Sequence, residues 1–345
     1  MADTIDVQKK PTSYTKKDFA SDQLVRWCPG CGDYSILSAM TAALPQLGIP
    51  KEDFVFVSGI GCAARFPYYM NTYGFHTIHG RGPAVATGVK LANPKLSVWE
   101  IQGDGDALAI GGNHFIHVLR RNIDINILLF NNEIYGLTKG QYSPTSPTGL
   151  VTKSTPYGAV ERPFHAGELV IGAQGTYYAR TIDTNPKLMA EIFVKAAKHV
   201  GTSMVEILQN CVIFNDDAHA QVTGRDNRDD FQLHIEHGKP MLFGKDKQKG
   251  LKLNGLKLEV VTVGENGITE KDILVHDAHE LDSTLHMMLV RLKPPAFPVV
   301  LGVIREVKAT PYSERLEEEV KISAQKSKFK NMDDLLNSGE TWEVK

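Results

Sequence analysis

Carboxylates and amides at matching ends of neighbouring strand-like runs are the first groups in this sequence that could do chemistry. Gly103-Asp104-Gly105-Asp106 follows one apolar, β-branched run, and Asn131-Asn132 follows the next. If both runs lie in one sheet, Asp104 and Asn132 offer oxygen ligands to a single Mg²⁺ and leave coordination sites for phosphate oxygens. The glycines beside Asp104 let backbone N–H groups come close to a diphosphate. A lone Gly-Asp-Gly is ordinarily a turn; the Asn pair at the end of the following strand makes it a candidate cofactor site.

The second constellation is the cysteines, Cys28, Cys31, Cys62 and Cys211. Four in 345 residues are too sparse for a disulfide framework. Cys28 and Cys31 form a close Cys-Pro-Gly-Cys pair, and the other two are isolated. Four thiolates suit an iron–sulfur cluster. Zinc is an alternative, although it usually draws its ligands from two close pairs. A thioredoxin-like redox pair would leave Cys62 and Cys211 unexplained and expects a preceding strand that residues 24–27 barely supply. Buried free thiols complete the set, and the residues by themselves leave it open.

What must position these groups is a set of parallel strands. Runs rich in β-branched and aromatic residues lie at 54–58, 96–102, 125–130, 177–182 and 204–208. Helical stretches are expected at 34–47, 83–92, 113–121 and 186–200, the last three stopped by Asn93-Pro94, Asn122 and Gly201. This alternation predicts an α/β, doubly wound, mostly parallel sheet covered on both faces. Ligands of such sheets sit beyond the carboxyl ends of the strands. Residues 59–62, 103–106 and 131–132, together with Cys211, are therefore expected along one edge.

Beyond residue 214 the texture becomes polar. Further strands are expected at 258–263 and 299–303, a helix at 277–292, and a charged exposed helix or arm at 314–330. The expected division is an N-terminal arm (1–26), a cofactor-binding domain (27–214) and a C-terminal extension (215–345) for subunit contact and cover. With 38 basic against 40 acidic residues, the chain lacks the basic excess that attracts nucleic acid or a membrane surface. The first residues lack the basic and apolar run of a signal peptide, and there is no apolar run long enough to span a bilayer, so a cytoplasmic protein is expected.

At this point the residues resemble a known family. Gly103-Asp104-Gly105 to Asn131-Asn132 resembles the thiamine-diphosphate motif. Residues 132–141, Asn-Glu-Ile-Tyr-Gly-Leu-Thr-Lys-Gly-Gln, with Ser143-Pro144-Thr145, resemble the β subunits of 2-oxoacid:ferredoxin oxidoreductases. Leu137-Thr138-Lys139 is most similar to the 2-oxoglutarate enzymes. Trp27-Cys28-Pro29-Gly30-Cys31-Gly32, Gly61-Cys62 and His79-Gly80-Arg81 extend the likeness from about Trp27 to Cys211, while Arg81-Gly82-Pro83-Ala84 departs from the Ala-x-Pro pattern more usual there.

The resemblance implies a fold of the thiamine diphosphate-binding type and one 4Fe-4S cluster on Cys28, Cys31, Cys62 and Cys211. It implies Mg²⁺ on Asp104, the Asn132 side chain and the Ile134 carbonyl, with Gly61, Cys62, Gly103, Gly105, Asp106, Leu137 and Thr138 around the cofactor. Arg65 and Lys139 are expected to pair the carboxylates of 2-oxoglutarate. His79 is expected either to reach substrate or cofactor or to be a satisfied core histidine. His114 and His117, at i and i+3, are expected to be packing residues. The implied reaction is reversible oxidative decarboxylation of 2-oxoglutarate with coenzyme A to succinyl-CoA and CO₂, with electrons passing to ferredoxin; run backwards it would serve a reductive TCA cycle. A larger α subunit is expected to supply the activating glutamate and coenzyme A contacts, giving a heterodimer or a dimer of heterodimers. The rivals are the same chemistry on pyruvate or a branched 2-oxoacid, a non-redox thiamine decarboxylase, and a zinc-stabilised binding module without catalysis.

Overall fold

The computed structural model describes residues 13–344; residues 1–12 of the expected N-terminal arm lie outside the described residues. The strands in chain order are β1 (Phe54–Ser58), β2 (Tyr73–His76), β3 (Ser97–Gly103), β4 (Asn126–Asn131), β5 (Ile134–Tyr135), β6 (Gln141–Tyr142) and β7 (Tyr177–Ile182). They continue with β8 (Ser203–Leu208), β9 (Gln232–His234), β10 (Leu242–Phe243), β11 (Lys249–Asn254), β12 (Lys257–Thr262) and β13 (Val299–Glu306). Eight of them form one sheet in the order β2-β1-β3-β4-β8-β7-β13-β9. Neighbours run parallel except β13 against β7.

The central strands read as continuous apolar runs because both faces are covered. Alternate residues enter opposite cores. Val55, Val57, Ile127 and Leu129 pack with Phe115 and Leu119 of the helix Gly112–Arg121. Phe54, Phe56, Leu128 and Phe130 pack with Ile36 and Met40 of the helix Asp33–Ala43 and with Phe193 of the helix Pro186–Lys198. Phe19, from the described part of the arm, is fully buried in that second core.

Two expectations change. The expected helix at 277–292 forms only over Thr284–Val290. The carbonyls that would continue it towards the N-terminus are taken by side chains: Asp277 accepts from His286 Nε2 (2.8 Å), and Glu280 and Leu281 accept from the Arg305 guanidinium (3.0 and 3.2 Å). The stretch 215–345 is more than an extension, since β13 and β9 complete the main sheet and Leu233, Val300 and Ile304 enter the first core. The helix Tyr312–Lys326 has no buried residue, as its charged composition suggests. Among the described residues no helix is long and apolar enough to cross a membrane.

Candidate functional site

Parallel register brings the ends of β1, β3, β4 and β8 to one edge: Ser58 lies opposite Ile101, Gly103 opposite Phe130, and Asn131 opposite Leu208. Between the loops that follow lies a cavity of about 120 Å³. All the residues expected around a cofactor line it: Gly61, Cys62, Gly103, Asp104, Gly105, Asp106, Asn132, Ile134, Leu137 and Thr138. A Cβ on Gly61 or Gly103 would meet no atom within 4 Å, so both backbones are open to whatever approaches them.

Asp104 is buried, and its Oδ2 accepts hydrogen bonds from the hydroxyls of Ser143 and Thr145, each at 2.5 Å. Burial outweighs those bonds and lifts its carboxyl to about 6. A cation beside it would reverse that shift. Asp106 instead braces the loops: Oδ1 accepts from the Gly80 N–H at 2.9 Å and Oδ2 from Gln102 Nε2 at 3.1 Å. Its carboxylate fills the place a side chain at Gly59 would need. The Tyr135 hydroxyl donates to the Gly105 carbonyl at 3.1 Å, and its ring lies where a Gly105 Cβ would go. Asn132 Oδ1 accepts from the Ile134 N–H at 3.2 Å, and Asn215 Nδ2 donates to the Asn132 carbonyl at 3.0 Å.

Asn131 ties this edge to a buried charge pair. Its Nδ2 donates to Glu206 at 2.8 Å, and the Arg180 Nε donates to the other Glu206 oxygen at 2.7 Å. Burial pushes the Glu206 carboxyl up, but Arg180, Tyr178 and Asn131 together hold it below its ordinary value. Thr145 Oγ1 also lies 3.0 Å from Asn131 Oδ1, so its single proton can go to Asp104 or to Asn131, and the Asp104 group and the Glu206–Arg180 pair meet at this hydroxyl.

The four cysteines form no disulfide. A Cβ on Gly136, in the turn between β5 and β6, would sit 3.4 Å from Cys62 Sγ and 3.6 Å from Cys211 Sγ. Burial, with the Asp33 carboxyl and the neighbouring thiols adding to it, pushes Cys62 up to about 12 and Cys31 higher still. The neighbours that Cys31 feels are Cys62 and Cys211, and Cys62 feels Cys211 and Cys28, so the four gather at one end of the edge. Such thiols lose their protons readily only to a metal or a cluster. Among the described residues, no group of three or more His, Cys, Asp or Glu is spaced to hold a single metal ion.

A second, more open cavity of about 510 Å³ shares Ile60, Gly61 and Leu137 with the first. Arg65 lines it, with its Nε donating to the Tyr69 hydroxyl at 3.1 Å, and so does Arg26, whose backbone N–H donates to the same hydroxyl at 2.9 Å. Lys139 lines neither cavity: it is exposed in the β5–β6 turn, with φ at +77°. His79 lines the first cavity with its side chain 65% exposed and Nδ1 3.8 Å from Asp106, so it is not a core histidine. Sequence reasoning missed Arg26, Glu206 and Gln209, and saw Tyr135 only as part of the 132–141 motif without its contact with Gly105. Ser143 and Thr145 were in view as part of a motif, but their contact with Asp104 was not.

Comparison with known proteins agrees with this geometry. Residues 59–207 match the thiamine pyrophosphate enzyme, C-terminal TPP binding domain family. The 2-oxoglutarate oxidoreductase subunit KorB of Mycobacterium tuberculosis is 47% identical over 331 residues, covering 95% of this chain and 88% of that one. The 2-oxoglutarate synthase subunit KorB of Archaeoglobus fulgidus is 46% identical over 185 residues, covering 54% and 69%. Among solved structures, the 2-oxoglutarate:ferredoxin oxidoreductase from Magnetococcus marinus, with 2-oxoglutarate, coenzyme A and succinyl-CoA bound, superposes with a TM-score of 0.77 at 30% identity. That match covers 98% of this chain and all of the other. With a relative this similar along nearly its whole length, and a thiamine diphosphate-binding fold at its centre, this chain belongs to the β subunits of the 2-oxoacid:ferredoxin oxidoreductases.

Proposed function

We propose that the chain, paired with an α subunit in the cytoplasm, converts 2-oxoglutarate and coenzyme A reversibly to succinyl-CoA and CO₂, passing electrons through one 4Fe-4S cluster to ferredoxin. The observation that carries the reading is a single small cavity lined by both Asp104 and Cys62, so that diphosphate-binding and thiolate chemistry share one wall. The names of the relatives support the substrate and the acceptor.

The residues fit the groups this chemistry needs. Asp104, the Asn132 side chain and the Ile134 carbonyl would hold Mg²⁺ and, through it, the diphosphate. The open backbones at Gly61 and Gly103 leave room for the phosphates. Cys28, Cys31, Cys62 and Cys211 would ligate the cluster, a donor set suited to iron. When bound, thiamine diphosphate supplies the carbon nucleophile and electron sink for decarboxylation, and the cluster supplies a one-electron outlet.

The remaining work falls to the protein. Ser143 and Thr145 fix the Asp104 carboxylate by two hydrogen bonds, and Tyr135 closes over Gly105. Arg65, its Nε already anchored on Tyr69, presents the rest of its guanidinium to the larger cavity, where it would pair with a substrate carboxylate. Lys139, two residues beyond Leu137 on the turn, would reach the same substrate from the rim. His79 stands at the mouth beside Asp106 and would donate to substrate or cofactor.

The test is anaerobic co-purification with the α subunit, followed by reduction of a viologen dye or ferredoxin. Activity with 2-oxoglutarate and coenzyme A, and little with pyruvate, is expected. Activity with pyruvate alone would overturn the substrate assignment. No turnover of any 2-oxoacid by a complex that holds cofactor and cluster would overturn the reaction.

A further inference from the structure

The geometry points to Gln209 as the residue that raises the reduction potential of the iron–sulfur group, by donating a hydrogen bond to the Cys31 sulfur. The inference rests on the reading that the four cysteines ligate a cluster. Gln209 follows β8 immediately, is 0% exposed, and reaches both halves of the site. Its backbone N–H donates to the Asn131 carbonyl at 3.0 Å, which ties it to the strand end that carries Asn132. Its side-chain Nε2 donates to the Asn210 carbonyl at 2.5 Å and to Cys31 Sγ at 3.3 Å.

The orientation of that amide follows from its partners. A backbone carbonyl only accepts, so the Asn210 oxygen selects the nitrogen end of the side chain, and the second hydrogen on the same nitrogen is left for the sulfur. Gly32 leaves room for the side chain, since a Cβ there would lie only 2.9 Å from Gln209 Cγ. The other end, Oε1, is buried without a partner. An apolar residue of similar size would fill this position without leaving a buried oxygen unpaired. Beyond its bond to the neighbouring Asn210 carbonyl, what glutamine supplies here that leucine lacks is the N–H aimed at Cys31.

A donor on a ligating sulfur withdraws electron density from it. The reduced cluster carries one more negative charge than the oxidised one and gains more from the donor, so the potential rises. Gln209 touches a ligand and not the reacting carbon, which makes it a tuning residue and not a catalytic one.

The experiment uses the αβ complex purified anaerobically. Iron and acid-labile sulfide are assayed first, and the reduced cluster is then titrated against potential by electron paramagnetic resonance in the wild type, Gln209→Leu and Gln209→Glu. Leucine removes the donor, and glutamate removes it at unchanged size and adds negative charge. The expected result is an intact cluster in the variants with the midpoint moved to more negative potential, glutamate at least as far as leucine. Should leucine prevent cluster insertion, the near-isosteric glutamate variant decides. A midpoint that superposes on the wild type, or moves positive, in a variant that holds its cluster overturns the role of Gln209. A wild-type complex without iron and sulfide overturns the cluster reading itself, a different failure that the first assay separates from the second.

Discussion

The diphosphate edge and the cysteine rim lie side by side, yet they are built in opposite ways. Asp104 and Asn132 sit at the ends of β3 and β4, fixed by parallel register, and their neighbours' hydrogen-bonding capacity is spent on holding them. The thiols sit on three separate loops, Cys28 is exposed, and the turn at Gly136 is what lies between Cys62 and Cys211. The first region is a preformed cradle. The second is a gathering of loops with no disulfide among the thiols.

The sharpest way to break that contrast is Asp104→Asn. Retention of Mg²⁺ and thiamine diphosphate should fall by more than about 100-fold, beyond what losing a supporting partner of a metal ligand costs, as read by equilibrium binding. The fold itself should respond with the opposite sign. A carboxyl at about 6 in the folded chain against 3.8 when free destabilises the cofactor-free protein increasingly as pH rises between those values. Above pH 6 the substitution should therefore stabilise it by up to about 3 kcal/mol in urea unfolding. Equal stability of the two proteins at pH 7 would show that the cradle carries no such strain.

Next in size is Glu206→Gln, which leaves Arg180 buried without its counter-charge and Asn131 with a weaker acceptor. Breaking such a pair from one side costs about 3–5 kcal/mol, and thermal melting should show it. Arg65→Gln should act on substrate and not on fold: the KM for 2-oxoglutarate rises about 10–100-fold, the worth of a charge-assisted hydrogen bond of roughly 1.5–3 kcal/mol, with pyruvate turnover little changed. Lys139→Met provides the contrast. A larger effect there than at Arg65 would mean that the β5–β6 turn, not the open cavity, recognises the distal carboxylate.

The same contrast explains what the sequence disclosed. β1 and β7 run over the expected residues, β3 and β4 are displaced by one residue and β8 begins one residue early, because strands buried on both faces leave an unbroken apolar signature. Asp104 and Asn132 were legible because two neighbouring strand ends must lie side by side. Arg26 and Gln209 were not, because their importance comes from loops meeting across the sheet edge, at Tyr69 and at Cys31. The helix expected from residue 277 was misread for a related reason: Arg305, on β13, takes the carbonyls it needed, and no local pattern shows that competition.

The smallest predicted effect isolates the rim from the fold. Gly136 has neither a positive φ nor a backbone neighbour that a methyl group would strike, so Gly136→Ala should change the melting of the cofactor-free chain by no more than the roughly 0.5 kcal/mol of an ordinary surface substitution. Its methyl carbon would nevertheless stand in van der Waals contact with Cys62 Sγ and Cys211 Sγ. If those sulfurs take up iron as proposed, a carbon wedged beside both restricts any movement they make to do so. Thermal stability should stay level while iron and sulfide per chain fall, or are lost faster on exposure to air. If iron content and its decay match the wild type, the turn at Gly136 is spacer only, and the thiols are held by their own loops as rigidly as Asp104 is held by its strand.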